Sequence, residues 1–244
     1  MKQEVFVIGD IHGQIQLFNE MLTKWQPETQ QLILIGDLGD RGEDPKACFL
    51  LAKKLVKEQG GIYLKGNHED LFLRFLDNPE DYYQNYCLNG GMRTLESLLH
   101  SGLDDEYSPT EMSMMIKSHY PDLVEFLKGL PLYFEWHQYL FVHAGVDLTK
   151  SDWKKTTDYD FMWIRAPFHE GKNMTGKVIV FGHTITPALY GDNVTTDLWK
   201  SDDKIGIDGG AVYGGALHGV IFSPEKLEQD ISIKNTGYVW DGSI

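Results

Sequence analysis

Val5-Phe6-Val7-Ile8-Gly9-Asp10-Ile11-His12-Gly13 is the stretch on which the reading of this chain turns. Four branched or aromatic apolar residues in a row suit a short strand buried on both faces, and a small, polar cluster follows them without a gap. The same succession recurs four times. Residues 32–35 (Leu-Ile-Leu-Ile) run into Gly36-Asp37-Leu38-Gly39-Asp40-Arg41-Gly42, and residues 62–64 (Ile-Tyr-Leu) lead to Gly66-Asn67-His68-Glu69. Residues 139–142 precede His143-Ala144-Gly145, and residues 178–181 precede Gly182-His183-Thr184. Between the first strands lie helix patterns: Ile15, Phe18, Leu22 and Trp25 recur at three and four residues, and Asp44-Pro45 supplies an N-cap and a first-turn proline. Alternating strands and helices predict a parallel sheet with crossovers, whose carboxyl ends share one edge where ligands collect.

The rest of the chain departs from this rhythm. Residues 70–131 are polar and helical in pattern, broken at Gly90-Gly91, Ser108-Pro109 and Pro121, and predict a helical cap inserted into the sheet domain. Residues 194–222 mix Thr, Ile, Val and glycine and predict antiparallel strands with tight turns. With no repeat or flexible linker, residues 1–244 read as one domain carrying that cap. The 22 basic against 36 acidic residues leave a formal charge of −14, which argues against a nucleic-acid partner, since phosphate backbones are held by Lys and Arg. No apolar run approaches the ~20 residues of a membrane span, and Met1-Lys2-Gln3-Glu4 opens no signal peptide, so the expected setting is the cytoplasm, away from membranes. Cys48 and Cys87 lie far apart and suggest neither a disulfide framework nor a thiolate metal site. Nothing in the sequence speaks to oligomeric state.

The residues gathered at the strand ends are two Asp, one Asn and several His, with no Cys. Oxygen and imidazole donors without thiolate suit Mn, Fe or Zn better than Ca or a structural Zn. Six donors are too many for one catalytic ion that keeps an open position, and about right for two ions ~3.5–4 Å apart that share a carboxylate and activate a water. Taken singly, each cluster is what an ordinary turn carries. Five of them in order, each closing a buried run, are not.

In these motifs the chain resembles the PPP-type phosphoprotein phosphatases, bacterial and phage members included, within the calcineurin-like metallophosphoesterases. The resemblance implies a mixed α/β fold of two mixed β-sheets packed as a sandwich and flanked by helices, with the helical insertion added. It further implies that Asp10, His12 and Asp37 hold one divalent metal ion, and that Asp37, Asn67, His143 and His183 hold a second, with Mn²⁺ the first choice over Fe or Zn. His68 would protonate the leaving oxygen, Asp40 would orient His68, and Arg41 would clamp phosphate. Trp163-Ile164-Arg165 lies where bacterial and phage members carry Trp-x-Arg, which makes Arg165 the second clamp. Elementary chemistry agrees: a carboxylate beside an imidazole keeps it protonated, and guanidinium matches phosphate oxygens in pairs as lysine cannot. The expected activity is hydrolysis of phosphomonoesters, on phosphoserine or phosphothreonine of proteins or on a small phosphorylated substrate. Bacterial hydrolases of diadenosine tetraphosphate share the motifs and form the alternative. A non-catalytic phosphate-binding module is disfavoured, because every expected donor and the acid are present. Asn89-Gly90-Gly91 and Thr94 resemble a stretch common in bacterial members, without a role beyond turning the chain. Asp208-Gly209-Gly210 reads as a tight turn that could back the metal site. His100, His119, His137, His169 and His218 lie outside every motif.

Overall fold

The computed structural model describes residues 2–242; Met1, Ser243 and Ile244, and with them the extreme ends of the expected 1–244 domain and the first residue of the leader reading, lie outside the described residues. Along the chain run β1 (Glu4–Ile8), α1 (Ile15–Leu22), β2 (Gln30–Leu34), α2 (Pro45–Gln59) and β3 (Ile62–Tyr63). Five helices follow, α3 (Asn67–Asp77), α4 (Pro79–Leu88), α5 (Met92–Leu98), α6 (Pro109–His119) and α7 (Pro121–Lys128). The second half contains β4 (Tyr133–Trp136), β5 (Tyr139–Val142), α8 (Asp158–Trp163), α9 (Ala166–His169), β6 (Val178–Phe181) and α10 (Thr186–Tyr190). It closes with β7 (Trp199–Ser201), β8 (Lys204–Gly206), β9 (Asp208–Gly209), β10 (Ala216–Phe222) and β11 (Leu227–Lys234).

The strands form two mixed sheets. One has the order β11-β10-β1-β2-β3 with β9 beside β10, and the other β4-β5-β6-β8-β7. In the first, β1, β2 and β3 are parallel; in the second, β5, β6 and β8 are. The two-residue period of a strand explains the layering. On β1, Val5 and Val7 join Ile33, Phe141 and Val180 in the core between the sheets, while Phe6 and Ile8 face the helices α1 to α7 on the outside. On the far side of the second sheet, Leu140, Val142, Ile179 and Phe181 pack against Phe161 of α8 and Phe168 of α9. Helix, sheet, sheet and helix layers therefore share three cores, and the sequence's buried runs are buried because both faces of each strand are covered.

Several details differ from the sequence reading. The one parallel sheet suggested by the strand pattern alone is two, β1–β3 lying in one and β5–β6 in the other, as the two-sheet fold implied by the resemblance has it. The inserted helices begin at Asn67 rather than 70, so that Asn67 and His68 open α3 instead of lying in a loop. Trp25 falls beyond α1, its Nε1–H donating to Gln30 O at 3.1 Å in the turn that follows. The tail is not wholly antiparallel: β8 pairs parallel with β6. Edge strands β4 and β11 were not expected, because each is only half buried; β11 alternates partly buried Ile231 and Ile233 with exposed polar neighbours. No helix among the described residues is long and apolar enough to cross a membrane.

Candidate active site

The carboxyl ends of the two sheets meet, and every residue singled out at the strand ends lies there. His143 Nδ1–H donates to Ile35 O at 3.0 Å, which ties the end of β5 to the end of β2, and His183 N donates to Asp10 Oδ2 at 3.0 Å, which ties β6 to β1. This approach depends on missing side chains. A Cβ on Gly182 would fall 2.0 Å from Asp10 Oδ1, and one on Gly66 would fall 2.2 Å from Asp37 Oδ1. The backbone is strained in the same places: His12, Asp37, Asp40, Arg41 and His183 all have positive φ, between 45° and 65°. Side chains avoid that region unless the surroundings impose it, and such strain concentrates at functional sites.

Two groups of donors come together, each with its ligand atoms within 4.8 Å of one another: His12, Asp37 and His68, and Asp37, His143 and His183. Asp37 belongs to both, with Oδ1 3.4 Å from His143 Nε2 and Oδ2 3.6 Å from His12 Nε2. Asn67 Oδ1 lies between His143 Nε2 at 2.9 Å and His183 Nδ1 at 2.8 Å. His68, expected as the acid, also lies in the first group, because the first turn of α3 points it at Asp37, while Asp10 Oδ2 accepts from His183 N. Asp10 Oδ1 and His183 Nε2 are buried with no hydrogen-bond partner. Buried polar atoms are seldom left so, and two orphans of the donor type that metal ions accept fit a site built for divalent cations.

Protonation tells the same story. Burial holds His12 and His183 well below the ordinary histidine range, aided by Arg41 at the first and by His143 at the second, so both present neutral imidazoles. Burial pushes Asp10 well up, and Asp208 adds to it. At Asp37, burial is outweighed by His143, His68 and His12, and the carboxyl is held well below its usual range. His143, despite burial, is raised to about 9 by Asp37. The ionised Asp37 and the neutral His12 and His183 are in the state that ligates, whereas His143 has a proton to give up on metal binding.

Asp40 Oδ2 accepts from His68 Nδ1–H at 2.6 Å, leaving His68 Nε2 to face the centre, 3.9 Å from Asp37 Oδ2. The other carboxylate oxygen, Asp40 Oδ1, accepts from Tyr86 OH at 2.6 Å and Thr94 Oγ1–H at 2.5 Å, while Asp40 N donates back to Thr94 Oγ1 at 2.9 Å. Arg41 N donates to Gly90 O at 3.1 Å. The Gly90 to Thr94 segment thus anchors Asp40 and Arg41, a role the sequence did not disclose. Glu69 was missed as well. Fully buried, it accepts from Asp37 N, Leu38 N and Gly66 N, each at 2.9 Å, and from Tyr63 OH at 2.7 Å, so one carboxylate splices two of the loops. Its place in Gly66-Asn67-His68-Glu69, three residues after the cap, was the available signal.

A groove of ≈ 300 Å³ beside the centre is lined by Arg41, Arg165, His183, Thr184 and Asp208, among others. Arg165 Nη1 donates to Thr184 Oγ1 at 2.7 Å and to His183 O at 3.4 Å, which places an otherwise exposed guanidinium on the groove. Arg41 Nη1 meets His12 Nε2 at 2.7 Å, so the clamp role expected of it requires release from His12. Asp208 makes the tight turn, Oδ1 accepting from Gly210 N at 3.0 Å, and its buried carboxylate adds to the upward push on Asp10.

Two mixed sheets between helix layers, with an oxygen- and imidazole-lined centre at their common edge, are the architecture of the metallophosphoesterases. The chain belongs to the calcineurin-like phosphoesterase family, whose sequence profile matches residues 4–215. Asymmetrical bis(5'-nucleosyl)-tetraphosphatase PrpE of Oceanobacillus iheyensis is 25% identical over 237 residues, covering 91% of this chain and 90% of that protein. Serine/threonine-protein phosphatase 1 of Salmonella typhimurium is 34% identical, but over 91 residues, 36% of this chain and 39% of that one. Among solved structures, a protein assigned as a diadenosine tetraphosphatase superposes with a TM-score of 0.68 at 18% identity, covering 99% of this chain and 96% of that one, a likeness of fold. The PPP-type resemblance is therefore the more distant part of the sequence reading.

Proposed function

We propose that this phosphoesterase hydrolyses dinucleoside polyphosphates, splitting a bis(5'-nucleosyl) tetraphosphate asymmetrically. What carries this reading is the extent of similarity: a tetraphosphatase matches along nine-tenths of both chains, the protein phosphatase along little more than a third. The alternative of the sequence reading thus becomes the first choice. Asp10, His12 and Asp37 would hold one divalent cation, and Asp37, Asn67, His143 and His183 the second, with Mn²⁺ the ion to test first. When bound, such ions polarise phosphoryl oxygens and lower the pKa of water. Arg41 and Arg165 bind the oxygens of the attacked phosphoryl group, where charge spreads in the transition state. A water oxygen bonds to phosphorus and loses a proton to solvent, the bridging P–O bond breaks, and the His68 imidazolium gives its Nε2 proton to the departing oxygen, becoming the neutral ring. Asp40 accepts from Nδ1–H and so holds the ring with Nε2 toward the departing oxygen, and the helices from α3 to α7 act as the cap that holds Asp40. Residues 1–244 act as one catalytic domain in this reading. We place the reaction in the cytoplasm, in keeping with the two buried free cysteines.

One observation favours the second reading, a serine/threonine phosphatase. The closely bonded Asp40–His68 pair is of greatest use where the leaving group is an alkoxide, which needs a proton more than a nucleotide phosphate does. Turnover of diadenosine tetraphosphate, a phosphoserine peptide and p-nitrophenyl phosphate, measured side by side after chelation and after Mn²⁺ return, decides between them. The proposal expects ATP and AMP in equal amounts, loss of turnover without metal, and slow release from the peptide. Peptide turnover far above that of the dinucleotide, or two ADP as products, would overturn it.

A further inference from the structure

The groove does not end at the two arginines. Ile185 and Tyr213 line it and also line a second cavity, ≈ 360 Å³, whose other walls include Asn193, Val194, Thr196 and the backbone of four glycines. That volume falls within the ~300–1,000 Å³ of small-molecule sites. Its apolar surface is wet: Val194 is 78% exposed and Tyr213 42%. Gly210 and Gly214 present bare backbone to it, at positive φ of 68° and 86°.

The wall is set in advance rather than left to close on a ligand. Asp192 accepts from Val194 N and Thr195 N, both at 2.9 Å, and His218 Nε2–H donates to Thr196 O at 2.6 Å, with its Nδ1–H on Asp230 at 2.8 Å. Asn193 offers a carboxamide donor and acceptor side by side at the rim, the pairing that reads a purine edge. Tyr213 links the two cavities, because the Arg41 guanidinium lies 5.5 Å from its ring centre. One aromatic ring thus borders both the arginine-lined groove and a cavity walled by apolar side chains and glycine backbone, with a polar rim. The ligand matching that sequence of surfaces is a planar heterocycle on a sugar, joined to phosphates.

We propose that the second cavity is a nucleoside subsite, taking the base and ribose of a nucleotide whose phosphates lie against Arg41 and Arg165. This rests on reading the substrate as a nucleoside polyphosphate. Stacking on Tyr213 and contact with Val194 would supply affinity that phosphate alone does not have.

The test compares ADP with inorganic phosphate as inhibitors of p-nitrophenyl phosphate turnover and, by calorimetry, as ligands of the Mn²⁺-loaded protein, at a salt concentration that screens charge across the groove. Wild-type protein is expected to bind ADP more tightly than phosphate. Tyr213→Leu and Val194→Glu should each shrink that margin roughly tenfold, the scale of one lost base stack. Both positions are partly open to solvent, and an unchanged melting curve for either variant is enough to read the result. Equal affinity of wild-type protein for ADP and phosphate overturns the subsite. So does an unshifted margin in both variants, even if diadenosine tetraphosphate is hydrolysed, in which case only the reading of the activity stands. A margin that shrinks in protein inert toward the dinucleotide keeps the subsite and removes the activity. A shift seen with a phosphoserine peptide but not with ADP gives the cavity to a peptide side chain and also overturns the proposal.

Discussion

His68 Nδ1–H donates to Asp40 Oδ2 at 2.6 Å, and both partners are almost wholly buried. The pairing fixes the tautomer that leaves His68 Nε2 as the group facing the centre, and it commits one oxygen of Asp40 to a single task.

Replacing His68 by Asn tests that task. Turnover of an alkyl phosphomonoester should fall by ~10²–10⁴-fold, the usual worth of general acid catalysis. The loss should be much smaller for p-nitrophenyl phosphate or a dinucleoside tetraphosphate, whose leaving groups depart as stabilised anions. Because His68 also lies in the His12–Asp37–His68 group, metal content must be measured alongside. Equal losses on all three substrates, or a lost ion, would make His68 a ligand.

Thr94 bonds Asp40 twice, once as donor and once as acceptor. Thr94→Val keeps the shape and removes both bonds, leaving a buried backbone N–H without a partner at a cost of about 1–3 kcal/mol. The melting temperature should drop by roughly 2–4 °C per kcal/mol in a chain of this size. Turnover of the alkyl ester should fall more than that of p-nitrophenyl phosphate, and Thr94→Ser should restore both. A variant that melts lower yet shows no leaving-group dependence would reduce Thr94 to a packing residue.

For Arg165 the expected signature is the opposite one. Arg165→Ala should lower kcat/KM by about 10- to 100-fold, as for a charged hydrogen bond worth ~1.5–3 kcal/mol, and by a similar factor for every leaving group. Lysine should recover only part of the loss. Folding should be unaffected, since the side chain lines an open groove. Unchanged kinetics together with unchanged inhibition by phosphate would leave Arg41 as the one clamp.

His218 supplies a pH dependence of stability. Burial lowers its affinity for a proton, but Asp230, Thr196 O and Asp208 more than offset this and raise it above the ordinary value. A histidine with a raised folded-state pKa contributes stability that is full below the unfolded value, near 6.5, and is lost as pH climbs through the folded value. The metal-free melting temperature should therefore decline over that interval in wild-type protein and less in His218→Gln. Parallel pH curves for the two proteins would show that His218 does not titrate there.

The candidate donors were legible in the sequence for a local reason. A buried strand is a short apolar run, a strand end is a glycine, and the chemistry sits in the next few residues, so Asp10, Asp37, Asn67, His143 and His183 could be picked out without knowing which strands adjoin. Arg165 was legible only through resemblance, since three residues without a buried run carry little local signal. Edge strands β4 and β11 were lost because half-buried sequence looks like loop. Thr94, Tyr86 and Glu69 could not be assigned, although Thr94 had been noticed, because a hydrogen bond between residues 54 apart leaves no period or spacing to read.

What the sequence determined by itself, then, is the alternation of buried runs with polar glycine-flanked ends, and with it the class of fold and the set of donors. That much follows from backbone stereochemistry and the burial of apolar side chains, both of which act over a few residues. The tertiary structure alone decided that the donors fall at the junction of two sheets, that His68 lies beside His12 and Asp37, and that the inserted helices hold Asp40 and Arg41 in place. Those are meetings of distant segments, set by how the sheets and helices pack, and the same local sequence would be compatible with other partners.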